Sequence, residues 1–252
     1  MIRIISGKLG SGKSYISMYH FYKDTSVTMM SYNTIFISIE GIDAKDIQEY
    51  RLHAYNHNVK VVFLDLKCEI TTKKNNKGHE ERVVKNFYNG EEYVFSNDFL
   101  KEISKDCKPP FLFCMDEAQD YGLGELSKQD KRVPLIRECV AQLRRRGWDM
   151  WLITQNPSEL NRTVQVKYEQ DYVCIPRTSF AGGFKVRKDV AKQFEKVIKI
   201  PSSRYIYSRY NSAVLHIKQS RNWKPQAMAY GGLGFAILAT LFAVYKVVNI
   251  FS

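Results

Sequence analysis

The run Gly7-Lys8-Leu9-Gly10-Ser11-Gly12-Lys13-Ser14 constrains this chain more than any other segment. It fits the pattern G-x-x-x-x-G-K-[ST], follows a short β-branched run (Ile2–Ser6) and opens a segment of helical character (Lys13–Tyr22). In that context glycines let successive backbone N–H groups turn inward around an anionic phosphate, and the helix N-terminus adds partial positive charge. Lys13 is placed to reach β- and γ-phosphates and the Ser14 hydroxyl to bind Mg²⁺. Residues Gly7, Lys8, Leu9, Gly10, Ser11, Gly12, Lys13, Ser14 and the adjoining Tyr15 are the expected ATP-binding run. Lys8 stands at the spacing of the second lysine in ParA/MinD-type loops, which reaches a partner's nucleotide. Leu9 replaces the glycine usual in that motif, so a solvated loop lysine is the simpler reading.

A second half of the site is expected at Phe111–Met115, an apolar strand that delivers Asp116 and Glu117 at its C-terminal end, where open parallel sheets bind ligand. Asp116 joins Ser14 as a predicted Mg²⁺ residue, and Glu117 is positioned to act as general base on the attacking water. A strand candidate, Val59–Asp65, lies between the two motifs. Together with the glutamate after the aspartate, it points to ATPases that insert a strand between the motif strands, the RecA-like motors and export ATPases. A guanine-reading NKxD motif is missing.

Further candidates are less determined. If Trp148–Thr154 is the next strand across, Gln155 lies near the γ-phosphate as a sensor; otherwise it caps the turn at Ser158. Arg144-Arg145-Arg146 closes a helix, where bases suit the helix C-terminus. Alternatively Arg145, or Arg162, enters a neighbouring subunit's site as an arginine finger.

The remaining pattern is α/β. Thr34–Ile39 and Tyr172–Ile175 read as strands, Val59–Asp65 as a central strand, and Ile42–Asn58, Asn97–Lys105 and Val133–Arg145 as helices. Residues 67–97, with TTKKNNKGHEE and NGEE, read as an exposed excursion with a hairpin at Asn89-Gly90 and a mobile tip at Lys73–Gly78. Strands separated by helices give a mainly parallel sheet.

Charge separates the C-terminal part from the rest. The 252 residues carry +12, yet Glu195 is the last acid. Residues 1–195 hold 30 bases against 26 acids, and eight bases follow. Gln226–Tyr245 contains no charge, and twenty such residues rise about 30 Å as a helix, the thickness of a bilayer core. Trp223, Lys224, Tyr245 and Lys246 flank it as interfacial anchors. Seven bases precede the span and one follows, so the positive-inside rule puts the N-terminal body in the cytoplasm. Five cysteines without CxxC spacing argue against a disulfide scaffold or a zinc site and for reduced thiols. The expected organisation is a P-loop ATPase domain (1–198), a basic juxtamembrane segment (199–225), a transmembrane helix (226–245) and a periplasmic tail (246–252).

SGKLGSGKS, LFCMDEAQDYG, LRRRGWDMWLITQN and a single span after a basic stretch resemble the zonular occludens toxin (Zot) family, which includes the filamentous bacteriophage assembly ATPase. The segment Arg146-Gly147-Trp148-Asp149 is more specific than either nucleotide motif. The resemblance implies a host inner-membrane ATPase, RecA/AAA-like in fold, that assembles into a homo-oligomeric ring such as a hexamer. It would engage phage coat protein or an ssDNA–protein complex and drive virion extrusion. It carries the phosphate-loop roles onto Lys13 and Ser14 and the acidic pair onto Asp116 and Glu117. Relatives usually continue into a periplasmic domain that meets an outer-membrane secretin, so a secretin link here would be indirect. A DNA-translocating membrane motor of the FtsK/HerA kind and a nucleotide-binding scaffold with little hydrolysis are the alternative readings. No separate DNA-reading segment is visible.

Overall fold

The computed structural model describes residues 1–8, 11–74, 80–127, 129–175 and 184–209. The strands are β1 (Ile2–Ser6), β2 (Thr34–Ser38), β3 (Lys60–Phe63), β4 (Leu66–Lys74), β5 (Glu80–Tyr88), β6 (Glu91–Tyr93), β7 (Phe111–Met115), β8 (Trp148–Thr154), β9 (Gln170–Ile175), β10 (Phe184–Val190) and β11 (Gln193–Ile200). The helices are α1 (Lys13–Lys23), α2 (Val27–Met30), α3 (Ala44–Tyr55), α4 (Asn97–Ile103), α5 (Arg132–Gln142), α6 (Arg162–Lys167) and α7 (Arg204–Ser208).

Eight strands form one sheet in the order β11-β10-β9-β1-β8-β7-β2-β3. The six from β9 to β3 run parallel, and β10 and β11 add an antiparallel edge. Successive side chains of a strand point to opposite faces. In β7, Leu112 and Cys114 accordingly join a core with Ile16, Met18 and Phe21 of α1, Ile47 of α3 and Ile206 of α7. Phe111, Phe113 and Met115 join the other core, with Phe99 and Leu100 of α4, Ile136 and Cys139 of α5 and Val164 of α6. Both faces of the sheet are covered, which explains why β2 and β7 read as unbroken apolar runs and are buried throughout.

Three expectations change. The strand between β1 and β7 is β8, which follows β7 in the chain, whereas Val59–Asp65 supplies the edge strand β3. Its Lys60 and Phe63 are exposed, as a strand paired on one side allows. The helix expected through Arg145 ends at Gln142. Arg144–Arg146 forms a separate 3-10 turn, closed by Gly147 at φ 72°. The folded unit also continues past residue 198. Ile200 and Ile206 are buried, Tyr205 packs against Tyr22 and Tyr50, and Arg209 pairs with Asp46 at 2.8 Å. The start of the expected juxtamembrane segment is therefore part of the folded unit.

The excursion is a second, three-stranded antiparallel sheet, β4-β5-β6. Asn89 and Gly90 turn between β5 and β6 with φ of 51° and 84°, the left-handed pair that a tight hairpin requires. The expected tip falls largely on residues 75–79, and the expected span and tail (226–252) lie entirely outside the described residues. Among the described residues no helix is long and apolar enough to cross a membrane.

Candidate functional site

β1 runs into the phosphate loop and α1 leaves it, at the C-terminal edge of the parallel strands. The turn demands glycine where the loop becomes helix. Gly12 caps α1 at φ 92°, and a Cβ there would lie 2.4 Å from the Phe184 ring of β10. Lys13 is buried at 7% exposure, with Nζ donating to the Gly7 carbonyl at 3.0 Å. Lys8 is exposed, and Leu9 and Gly10 lie outside the described residues. Tyr15 points elsewhere. Its hydroxyl donates to Pro201 O at 2.9 Å and accepts from Ser203 N–H at 2.8 Å, so only its backbone is available to a phosphate.

The acidic pair meets this loop. The Ser14 hydroxyl donates to Asp116 Oδ2 over 3.0 Å. Asp116 is held by its backbone N–H on Ser38 O at 2.9 Å, and its Oδ1 accepts the Glu117 N–H at 2.9 Å. Burial, then the neighbouring Glu117 charge, raise the Asp116 pKa, while Ser14, the Glu117 N–H and Lys13 oppose the rise. A carboxylate made costly in this way is suited to a cation. A hydroxyl and a carboxylate oxygen already in contact match the hard oxygen donors that Mg²⁺ prefers. That ion needs only one or two protein ligands beside water and phosphate. No cluster of three acidic, histidine or cysteine ligands exists among the described residues.

Glu117 sits at φ 44°, uncommon for a residue with a Cβ and a form of strain that concentrates at functional sites. Its two carboxylate oxygens accept from different amides: Oε2 from Gln119 Nε2 at 2.6 Å and Oε1 from Gln155 Nε2 at 3.4 Å. The end of β8 thus brings Gln155 to the acidic pair, and the turn at Ser158 is capped by Asn156 instead, whose Oδ1 accepts the Ser158 N–H at 3.1 Å. Gln119 is a site residue that sequence reading missed; a lone glutamine two positions after an acidic pair carries no pattern of its own.

The two arginines are separated by the sheet. Arg145 precedes β8, whose seven residues span about 20 Å, so it lies at the edge opposite its own phosphate loop. Arg162 is exposed at the start of α6, seven residues after Gln155 and on the nucleotide edge. In the Arg146-Gly147-Trp148-Asp149 segment the roles are structural. Trp148 packs on Phe36 and Phe111, and Asp149 Oδ2 accepts from the Tyr32 hydroxyl at 2.6 Å. The five cysteines are free, and burial pushes the Cys174 thiol, near the loop, up to about 12.

The family model described as "Zonular occludens toxin (Zot)" matches residues 1–217. Among solved structures, the N-terminal domain of zonular occludens toxin from Neisseria meningitidis is similar in fold, with a TM-score of 0.50 at 17% identity, covering 83% of this chain and 98% of that one. The genome-packaging NTPase of Sulfolobus turreted icosahedral virus 2, in complex with AMPPCP, aligns with a TM-score of 0.45 at 16% identity, covering 80% and 97%. No curated protein sequence matches. With the family model spanning most of its length, this chain belongs to the zonular occludens toxin family.

Proposed function

We propose that the chain is a membrane-anchored ATPase that powers assembly and secretion of filamentous phage across the host inner membrane. It would act as a homo-oligomeric ring on coat protein or an ssDNA–protein complex. The observation that carries the ATPase part is the contact of Ser14 with Asp116, with Glu117 beside it on a strained turn. The insertion of β8 between β1 and β7 supports the additional-strand glutamate class of P-loop motors. The uncharged stretch 226–245 after a run of bases supports the anchor.

The residues divide the chemistry. Lys13 would leave the Gly7 carbonyl for the β- and γ-phosphate oxygens, exchanging a neutral acceptor for an anionic one. Ser14 and Asp116 would hold Mg²⁺, which supplies neutralisation of phosphate charge. Glu117 would take a proton from water as the water oxygen attacks the γ-phosphorus and the bond to the β-phosphate oxygen breaks. Gln155, bonded to Glu117, is placed to register whether the γ-phosphate is present. Arg162 of a neighbouring subunit would complete the site from the side opposite Lys13.

The test is ATPase activity of the detergent-solubilised protein and phage export in cells. Lys13→Ala should lose most ATP affinity and all export. Glu117→Gln should keep ATP bound and lose turnover by roughly 10²-fold or more, the usual worth of a positioned base. Normal export by Lys13→Ala would sink the ATPase reading. Strong stimulation of turnover by free ssDNA would move the reading to a DNA translocase, and absence of turnover to a scaffold.

A further inference from the structure

The turn that follows Glu117 is clamped by the excursion sheet. Gln119–Leu123 forms one irregular helical turn containing Gly122 at φ 93°. Asn86 of β5, 3% exposed, spans it. With its amide oriented by its surroundings, Asn86 Nδ2 donates to Asp120 O at 2.7 Å and Oδ1 accepts the Gly122 N–H at 3.2 Å. The Tyr93 hydroxyl of β6 donates to Tyr121 O at 3.1 Å. Three consecutive residues of the turn are thus tied to β5 or β6. From the other side, Gly124 allows close approach, because a Cβ there would lie 2.3 Å from the Gln119 carbonyl. Gln119, at the head of this clamped turn, donates to Glu117 at 2.6 Å while its own Oε1 stays buried without a donor. Buried polar atoms left unpaired are uncommon, so the side chain is held by the requirement at Glu117 rather than by its own satisfaction.

We propose that Gln119 is a positioning residue for Glu117, and that the β4–β6 sheet sets Gln119 through Asn86. This rests on the reading of Glu117 as general base. The bond from Gln119 occupies Oε2, one of the two oxygens that could receive the water's proton, so the position of the turn fixes whether the carboxylate is aimed or retained. β5 thus reaches the carboxylate in three steps: the Asn86 side chain, the turn backbone at Asp120 and Gly122, and the Gln119 side chain on Glu117.

The test compares Asn86→Ala and Gln119→Ala in the full-length protein, each alone and combined with Glu117→Gln. Each single variant should lower kcat by roughly 10-fold or more, since a misplacement of about 1 Å at a catalytic group can cost up to about 10²-fold. ATP affinity should stay within about twofold, because Lys13 and Ser14 are untouched. In the Glu117→Gln background neither variant should change the residual turnover further. An equal fold-change in both backgrounds, an unchanged kcat, or a parallel loss of ATP affinity would overturn the proposal. If Asn86→Ala fails to fold, Tyr93→Phe removes only the bond to Tyr121 and should move kcat in the same sense. Hydrogen exchange reads the coupling without chemistry. ATP added to Glu117→Gln protein should change protection in residues 118–123 and in β5 together, and Tyr93→Phe or Asn86→Ala should uncouple β5. A response confined to 118–123 in the parent would overturn the coupling. Undiminished turnover by Glu117→Gln itself would instead be a failure of the base reading, visible before any change at Asn86.

Discussion

The Ser14 hydroxyl and the Asp116 carboxylate, 102 residues apart in the chain, meet at 3.0 Å where α1 begins and β7 ends. β8 lies between β1 and β7, so the contact crosses one intervening strand at the sheet's C-terminal edge. Because burial disfavours the ionised Asp116, removing its charge should relieve the free protein while disabling the site. Asp116→Asn is expected to fold at least as stably as the parent and to lose the Mg²⁺-dependent part of ATP binding. Titrations with ATP in Mg²⁺ and in EDTA separate the two: equal Mg²⁺ dependence in parent and variant would remove Asp116 from the metal role.

A second buried carboxylate gives a pH signature of the fold. Asp171 of β9 accepts from the Ser6 hydroxyl at 2.9 Å, one residue before the phosphate loop. Burial first, and Asp189 further, raise its pKa to about 6. A raised carboxyl pKa means that the folded state holds its proton longer than the unfolded chain. Its contribution is complete below the ordinary aspartate value and is lost as pH rises through about 6. Asp171→Asn keeps an acceptor for Ser6 and removes the charge. It should be more stable than the parent at pH 8, by as much as about 3 kcal/mol at 1.36 kcal/mol per pKa unit. The difference should shrink between pH 6 and 4 and vanish below. Denaturant melts across that range check it; a constant difference would mean that Asp171 is not the titrating group.

The strands of the site were legible because each is a short apolar run bounded by glycine or acid. Ile2–Ser6, Phe111–Met115 and Trp148–Thr154 stand where their patterns place them. The β10–β11 hairpin was not, because its turn is Ala191-Lys192, both at positive φ, without the asparagine or glycine that marks such turns. The rank of Val59–Asp65 in the sheet was misjudged for a related reason. Apolarity in four or five residues does not distinguish a central strand from an edge, and only the exposed Lys60 and Phe63 reveal it. The phosphate-loop and acidic residues were found from spacing. Gln119 and Asn86 were invisible because their roles arise from contacts made only after the excursion sheet folds onto the turn.

Topology is testable independently of chemistry. Under the proposed function Lys13 and Asp116 would act on cytoplasmic ATP, and the seven bases between Lys196 and Lys224 would favour the same side. Some of those bases are committed within the fold, Arg209 to Asp46 among them, so lipid attraction of about 1 kcal/mol per base applies only to the remainder. A cysteine at Ser252 in a cysteine-free background should react with a membrane-impermeant thiol reagent in spheroplasts, and one at Ser127 should not. Labelling at Ser127 with Ser252 protected would invert the orientation. A protein that never pellets with membranes would remove the anchor.

The two arginines now carry different expectations. Arg145 lies across the sheet from its own phosphate loop, about 20 Å along β8, so it reaches a neighbour's site only if subunits contact through that edge. Arg162 begins α6 on the nucleotide edge and is exposed there, which lets a ring with neighbouring sites facing one another bring it to the next γ-phosphate. A group acting in trans can be complemented by mixing. Arg162→Ala protein supplies an intact Lys13 and lacks the finger, and Lys13→Ala protein supplies the finger and lacks the site. Mixed oligomers should regain part of the activity that each variant lacks alone, in proportion to the interfaces that join two intact halves. Arg145→Ala protein mixed in the same way should show no such gain. Restoration by Arg145 and not by Arg162 would place the subunit contact on the opposite edge of the sheet, and restoration by neither would mean that the site is complete within one chain.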